Sequence, residues 1–175
     1  MVATSIGLLI ARLIVGLAMA SHGSQKLFGM FGGQGLAATG AGFESMGYRP
    51  GKLFVLAASL GELGGGLLTA FGLGGPLGPA LMILVMIVAT FTAHFKNGFF
   101  AANGGYELNA IYVASSLALA FSGFGVFSLD HVLGLERFYT SPVIWIVIAV
   151  GIILALLSLA AKRPILTAGE ESNSS

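Results

Sequence analysis

Seven polar or ionisable side chains stand inside or at the ends of otherwise apolar stretches of this sequence: Arg12, His22, Lys26, Glu62, His94, Glu107 and Asn109. An ionisable group at membrane depth costs ~2.5–3.5 kcal/mol on insertion scales, so each one is a functional hypothesis by default. Arg12 lies about eight residues into the first apolar stretch and Glu62 near the middle of the second. In an antiparallel pair they are expected at similar depth, where opposite charges favour each other's ionised form and offset part of the burial cost. Two readings stay open for this expected pair: a structural tie that fixes helix register, or a direct part in ligand or proton handling.

Helical winding groups these residues further. Arg12, Gly16, Met19, His22, Gly23 and Lys26 share one stripe at ~3.6 residues per turn. Ser59, Glu62, Gly66 and Thr69 form a comparable stripe beside Gly61, Gly64 and Gly65, whose small size lets another backbone approach. Towards the other end, His22 and Lys26 should meet His94-Phe95-Lys96 and Tyr106-Glu107-Leu108-Asn109 around one mouth. Imidazole, ammonium and carboxylate gathered there could bind a polar head group or pass protons. The plain alternative is an interfacial belt of snorkelling side chains, which fits Lys26 and Lys96 best. Of this set, Glu62, His22 and His94 are the candidate catalytic residues, and Arg12, Lys26, Glu107 and Asn109 the candidate ligand contacts.

Other chemistry finds little support. His22 and His94 are the minimum for axial ligation of a haem, too little to be specific. No metal site is expected, because His131 falls on the opposite side, and Asp130-His131 reads as helix capping and surface polarity. The run Gly61-x-x-Gly64-Gly65-Gly66 sits within an apolar helix and does not follow a strand, so it is not a phosphate cradle. Cysteine is absent, which removes disulfides, thiolate metal sites and iron–sulfur clusters. Redox chemistry would then come from a bound cofactor, a quinone or a partner protein.

The elements that must position these residues are membrane helices. Of the 175 residues 56% are hydrophobic and 9% charged, against roughly 25% charged in soluble domains. The chain therefore reads as all-α, an integral membrane helical bundle forming a single domain over residues 1–161. Crossing the hydrocarbon takes ~20 mostly apolar residues, and five stretches qualify, about 4–28, 53–72, 77–95, 108–125 and 142–161. The fourth is the shortest. The N-terminal run is read as the first span and not a signal peptide, since no Lys or Arg precedes it and Arg12 interrupts it. Residues 29–52 and 96–106 read as loops, Gly72–Pro76 as a tight turn, 126–141 as holding a short interfacial helix around 129–139, and 162–175 as a disordered tail.

Charge then orients the bundle. With the N-terminus outside, the inner side receives Lys26, Arg49, Lys52, Lys96, Lys162 and Arg163, and the outer side keeps Arg137 alone. The expected topology is N-out and C-in. A net charge of +1 and the lack of a basic groove speak against a nucleic-acid partner.

The motifs resemble those of a known family. Arg12-Leu-Ile-Val-Gly-Leu-Ala-Met-Ala-Ser-His22-Gly-Ser-Gln-Lys26-Leu-Phe-Gly29 is similar to the first-helix signature of the DoxX family, and Glu62-Leu-Gly-Gly-Gly-Leu-Leu-Thr-Ala-Phe-Gly72-Leu to its second. His94-Phe-Lys-Asn-Gly-Phe-Phe with Gly105-Tyr-Glu107, and Ser122-Gly-Phe-Gly125 with Ser128-Leu-Asp130, resemble its later motifs, in order across residues 6–132. The resemblance implies a multi-pass protein of the prokaryotic cytoplasmic membrane with a four-helix core, related to membrane subunits of thiosulfate:quinone oxidation and to redox-stress complexes. It puts Arg12, His22, Lys26, Glu62, His94 and Glu107 on family motif positions. Phe124 stands where the family often has proline, and the fifth span extends beyond the core. The expected function is a membrane subunit of a quinone-linked redox system, with quinone as cofactor, its tail between the first, second and fourth spans. A soluble redox enzyme at the inner face and homo-oligomerisation are expected. The rivals are a small-solute transporter lined by Arg12 and Glu62, and a non-catalytic anchor that recruits a soluble enzyme through its loops.

Overall fold

A computed structural model describes residues 2–163, and every regular element among them is helical. The long helices are α1 (Val2–Phe28), α3 (Gly51–Phe71), α4 (Leu77–Ala89) and α7 (Ser141–Ala160), with α2 (Gly35–Ser45), α5 (Glu107–Ser122) and the single turn α6 (Leu129–Val132) between them. A π-helical turn, Thr90–His94, and a 3-10 turn, Phe95–Asn97, prolong α4, so the apolar helical run reaches Leu77–Asn97. Four helices are thus long and apolar enough to cross a membrane.

The fourth expected span is shorter than its sequence implied. α5 has 16 residues, ~24 Å at 1.5 Å per residue, against a hydrocarbon core of ~30 Å. It stops because Gly123 leaves helical geometry, with φ 72° and ψ −174°. Even so α5 runs the height of the bundle. α4 and α7 lie parallel, Ala80 against Gly151 near one end and Val88 near Ala161 at the other. The chain between them must travel back, and α5 is that return.

Glycine sets the closest crossing, between α1 and α3. A Cβ at Gly16 would lie 2.6 Å from the Gly66 carbonyl oxygen, and one at Gly23 would lie 2.6 Å from the Leu63 nitrogen. Neither position can carry a larger side chain at this separation, which is how small residues let membrane helices touch. α3 ends in a Schellman turn: Gly72 (φ 64°) donates to Thr69 O at 3.1 Å, and Leu73 to Leu68 O at 2.8 Å. The following Pro76 starts α4 and closes the hairpin.

Two loop expectations are corrected. Residues 29–52, read as a loop from their glycine content, contain α2 packed on α3. Gly40 is needed there because a Cβ would meet the Lys52 chain at 3.1–3.3 Å. The start of the expected disordered tail is also ordered, since Arg163 N donates to Gly47 O at 2.9 Å; the rest of the tail lies outside the described residues. The expected interfacial helix resolves into α6 and a 3-10 turn, Glu136–Phe138.

The buried apolar centre is small, built on Met19, Met82, Val85 and Met86. Large apolar side chains elsewhere point outward along α1 and α7, such as Ile6, Ile14, Trp145 and Ile153. An outward face of that kind has lipid as its solvent.

Candidate functional site

The glycine register decides which charges meet. Gly16 faces Gly66 and Ala70, and Gly23 faces Ser59 and Leu63. Continuing the antiparallel match puts Arg12 level with Gly72 and Glu62 level with His22. Arg12 and Glu62 are therefore offset by ten positions of α1, ~15 Å along its axis. The expected Arg12–Glu62 pair does not form. Equal depth was inferred from distances to helix ends, whereas interlocking glycines fix the actual register.

Glu62 pairs instead with Lys26: the ammonium donates to Oε1. The carboxylate is 1% exposed while the lysine side chain is 28% exposed. The other oxygen, Oε2, is buried and accepts no hydrogen bond among the described residues. Ser59, one turn before Glu62 on α3, and Ser116 on α5 also bury hydroxyls without partners there. Unsatisfied buried polar atoms are rare in folded proteins and each calls for an explanation.

His22 is exposed and meets Tyr112 of α5 edge to face, with ring centres 6.1 Å apart. Its Nδ1 lies 3.2 Å from Gln25 Oε1. Tyr112 is half-buried and close enough to feel the Glu62 charge. α1 and α5 touch only lightly, and His22 and Tyr112 meet across them. The cavities of about 420 and 310 Å³ lie elsewhere, between α3, α4 and α7 and between α4 and α5, and α1 lines neither.

The other expected site residues are occupied by the loop between α4 and α5. His94 Nδ1 lies 2.8 Å from the Gly104 carbonyl, which also accepts from Asn97 at 3.1 Å. Glu107 Oε2 accepts from Ala101 N at 2.9 Å. Asn109 donates to Thr90 in the π-helical turn at 3.1 Å. Chain threading brings His22, Lys26, His94, Glu107 and Asn109 to the same end of the bundle. His94 and Glu107 bond within the link between α4 and α5, Asn109 bonds across to Thr90, and of the set only Lys26 bonds Glu62, with His22 level with it on α1.

Arg12 belongs to a second cluster at the opposite end. It is 3% exposed, and Nη2 donates to Phe127 O at 2.6 Å. Its guanidinium fills the space beside Gly72, where a Cβ would lie 1.8 Å from Nη1. Its Nε and Nη1 are buried without a partner among the described residues; the carboxylate of this cluster is Asp130, 2% exposed, with no ion pair to Arg12 within 4 Å. Asp130 accepts from Gly74 N at 2.9 Å and from Gly75 N at 2.7 Å, while its own N–H donates to Gly72 O at 2.9 Å. Tyr139 adds a hydroxyl at 3.3 Å. Burial raises the Tyr139 phenol above its ordinary value, and the adjacent Asp130 charge and hydrogen bond push the same way.

Asp130 is thus a clasp between the α3–α4 turn and the 126–139 segment, not the surface polarity that its sequence position implied. Nor is either residue of Asp130-His131 the cap: that is Ser128, whose Oγ accepts from His131 N at 3.2 Å. His131 itself pairs with Glu136 at 3.0 Å on the surface. The signal that could have found the clasp is the glycine-rich turn Gly72-Leu-Gly-Gly75, which offers several free N–H groups to one carboxylate.

Comparison with known proteins agrees with this architecture. The DoxX family model matches residues 7–95, which hold α1 to α4 and both partners of the Lys26–Glu62 pair. A protein of Bacillus subtilis (strain 168) described as "Putative oxidoreductase CatD" is 33% identical over 125 residues, covering 71% of this chain and 85% of that protein. No solved structure matches.

Proposed function

This chain belongs to the DoxX family of membrane proteins, and on that premise we propose that it is the membrane subunit of a quinone-linked redox system with its polar site at Glu62. One observation carries the reading: a wholly buried carboxylate with one oxygen on Lys26 and the other unpartnered among the described residues. The relative's description as an oxidoreductase is consistent with it.

The residues fit a quinone or quinol head group by their donors and acceptors. Glu62 Oε2 can accept a quinol hydroxyl, while Tyr112 and His22 can donate to a quinone carbonyl. A bound quinone would supply two-electron, two-proton chemistry. Lys26 holds Oε1, which leaves Oε2 as the oxygen open to a ligand or proton. Glu62 then takes a proton at Oε2, and the half-exposed Lys26 and exposed His22 connect it to the end of the bundle. The tail would lie between α1 and α5, and access from the membrane suits a substrate dissolved in it.

The same reading orients the protein with the N-terminus outside and the Lys- and Arg-rich end in the cytoplasm. A soluble redox enzyme would dock there, over α2 and the 95–106 link. The test is to add quinol analogues to purified protein and to compare turnover in cells carrying Glu62→Gln. Saturable binding by wild type, with binding and turnover lost in the variant, is expected. No binding, together with equal turnover in the variant, would remove this reading.

A further inference from the structure

A second site lies in the same half of the bundle, separate from Glu62. Its floor is the α4 stripe Leu81, Leu84, Val85 and Val88. α3 supplies one wall with Ala57, Ala58 and Gly61, and α7 the other with Leu154 and Leu157. The two walls hold apart because α3 and α7 both pack on α4 and make little contact with each other. The groove between them has a volume of about 420 Å³, within the ~300–1,000 Å³ range of small-molecule sites. Phe43 and Tyr48 close it at the end that carries most of the Lys and Arg. Tyr48 is fixed there by Phe54, with ring centres 4.9 Å apart, and by Thr92 Oγ1 at 3.0 Å from its hydroxyl.

Basic residues gather around that closed end. Arg163 N donates to Gly47 O at 2.9 Å, which fastens the end of α7 to the turn before Tyr48. The Lys162 chain runs past Gly47, its Cγ 3.1 Å from where a Cβ would stand. Lys52 packs beside Gly40 on the first turn of α3, and Arg49 is exposed next to Tyr48. Lys162 and Arg163 follow the lining residue Ala161 and Arg49 follows Tyr48, so three cations adjoin the closed end of the apolar slot, whereas Lys52 packs on α2. Glu44, the acid of that turn, is held by Gly51 N at 2.9 Å.

We propose that this groove binds an anionic phospholipid, one acyl chain lying between α3 and α7 and the phosphate held by Lys162, Arg163 and Arg49. The apolar slot alone would accept any lipid tail. The charge over it selects an anionic head group, and basic pockets between membrane helices hold such head groups. A bound chain would also complete the packing between α3 and α7.

The test uses the full-length protein in nanodiscs of phosphatidylglycerol or phosphatidylcholine, with thermal unfolding and the mass of co-purified lipid as readouts. Wild type should melt higher in phosphatidylglycerol and retain one such lipid after mild detergent extraction. Lys162→Ala with Arg163→Ala should weaken that retention by about fivefold per residue, the effect of one basic side chain near an anionic surface. Lys96→Ala, at the same end but away from the groove, should change nothing. Ala57→Phe should fill the slot, ending retention without lowering the melting temperature in phosphatidylcholine. Equal retention by wild type and the double variant would overturn the proposal. So would displacement of the lipid by a neutral quinone analogue, or stabilisation by soluble glycerol phosphate alone.

Discussion

The two ends of the bundle each bury a carboxylate, and they treat it differently. At one end Asp130 receives a backbone N–H on each oxygen, at 2.9 and 2.7 Å. At the other, Glu62 receives a single side-chain donor, Lys26, and leaves Oε2 bare. Backbone donors are fixed by the fold, whereas a lysine on four rotatable bonds can move. The first arrangement holds two segments together, and the second keeps a buried charge available. A buried charge is therefore no sign of function by itself; what matters is how its remaining hydrogen-bonding capacity is filled.

Substitutions can break this contrast. Asp130→Ala should cost the most, ~3–5 kcal/mol, because it strips the acceptor from the Gly74 and Gly75 N–H groups and from the Tyr139 hydroxyl, at ~1–3 kcal/mol for each buried donor left unsatisfied. Thermal unfolding in detergent measures it, and a loss under ~1 kcal/mol would show that the clasp holds nothing. Gly66→Val comes next. Its side chain would meet the Gly16 carbonyl at 2.5 Å, so α1 and α3 must separate, with a loss of ~1–3 kcal/mol from overpacking. A variant that melts like wild type would refute the close crossing.

Glu62→Gln should sharpen the comparison. The amide oxygen can still accept from Lys26, so the folded state should lose at most ~1–2 kcal/mol while ligand binding disappears. A collapse in stability equal to that of Asp130→Ala would make Glu62 a clasp as well. Tyr139→Phe is the mildest change, ~0.5–1 kcal/mol for one hydrogen bond. Because the Tyr139 phenol titrates above its ordinary value of ~10, its stabilising bond is complete at neutral pH and fades as pH rises past that value. The variant should flatten the alkaline limb of the stability profile, and identical limbs would remove Tyr139 from the clasp.

Most of the architecture was legible in the sequence. Apolar runs of membrane length gave the long helices to within a few residues, and the motifs around Arg12–Gly29 and Glu62–Gly72 pointed to the family that the comparison recovers. Burial of Arg12 and Glu62 also followed from their stripes. Their pairing did not. Register depends on which glycines interlock, and a shift of one turn between α1 and α3 changes every partner without altering any apolar pattern. Asp130 was misread because its donors come from a turn 55 or 56 positions away. α2 was missed because its glycines look like loop residues, although one of them, Gly40, serves a close contact with Lys52.

Infrared difference spectra of the protein in nanodiscs, recorded on addition of a quinol analogue, address the claim about Glu62 most directly. The expected result is a carboxyl or carboxylate band that changes when the analogue binds and is missing in Glu62→Gln. Difference spectra that are the same in wild type and variant would mean that the buried oxygen of Glu62 meets no ligand.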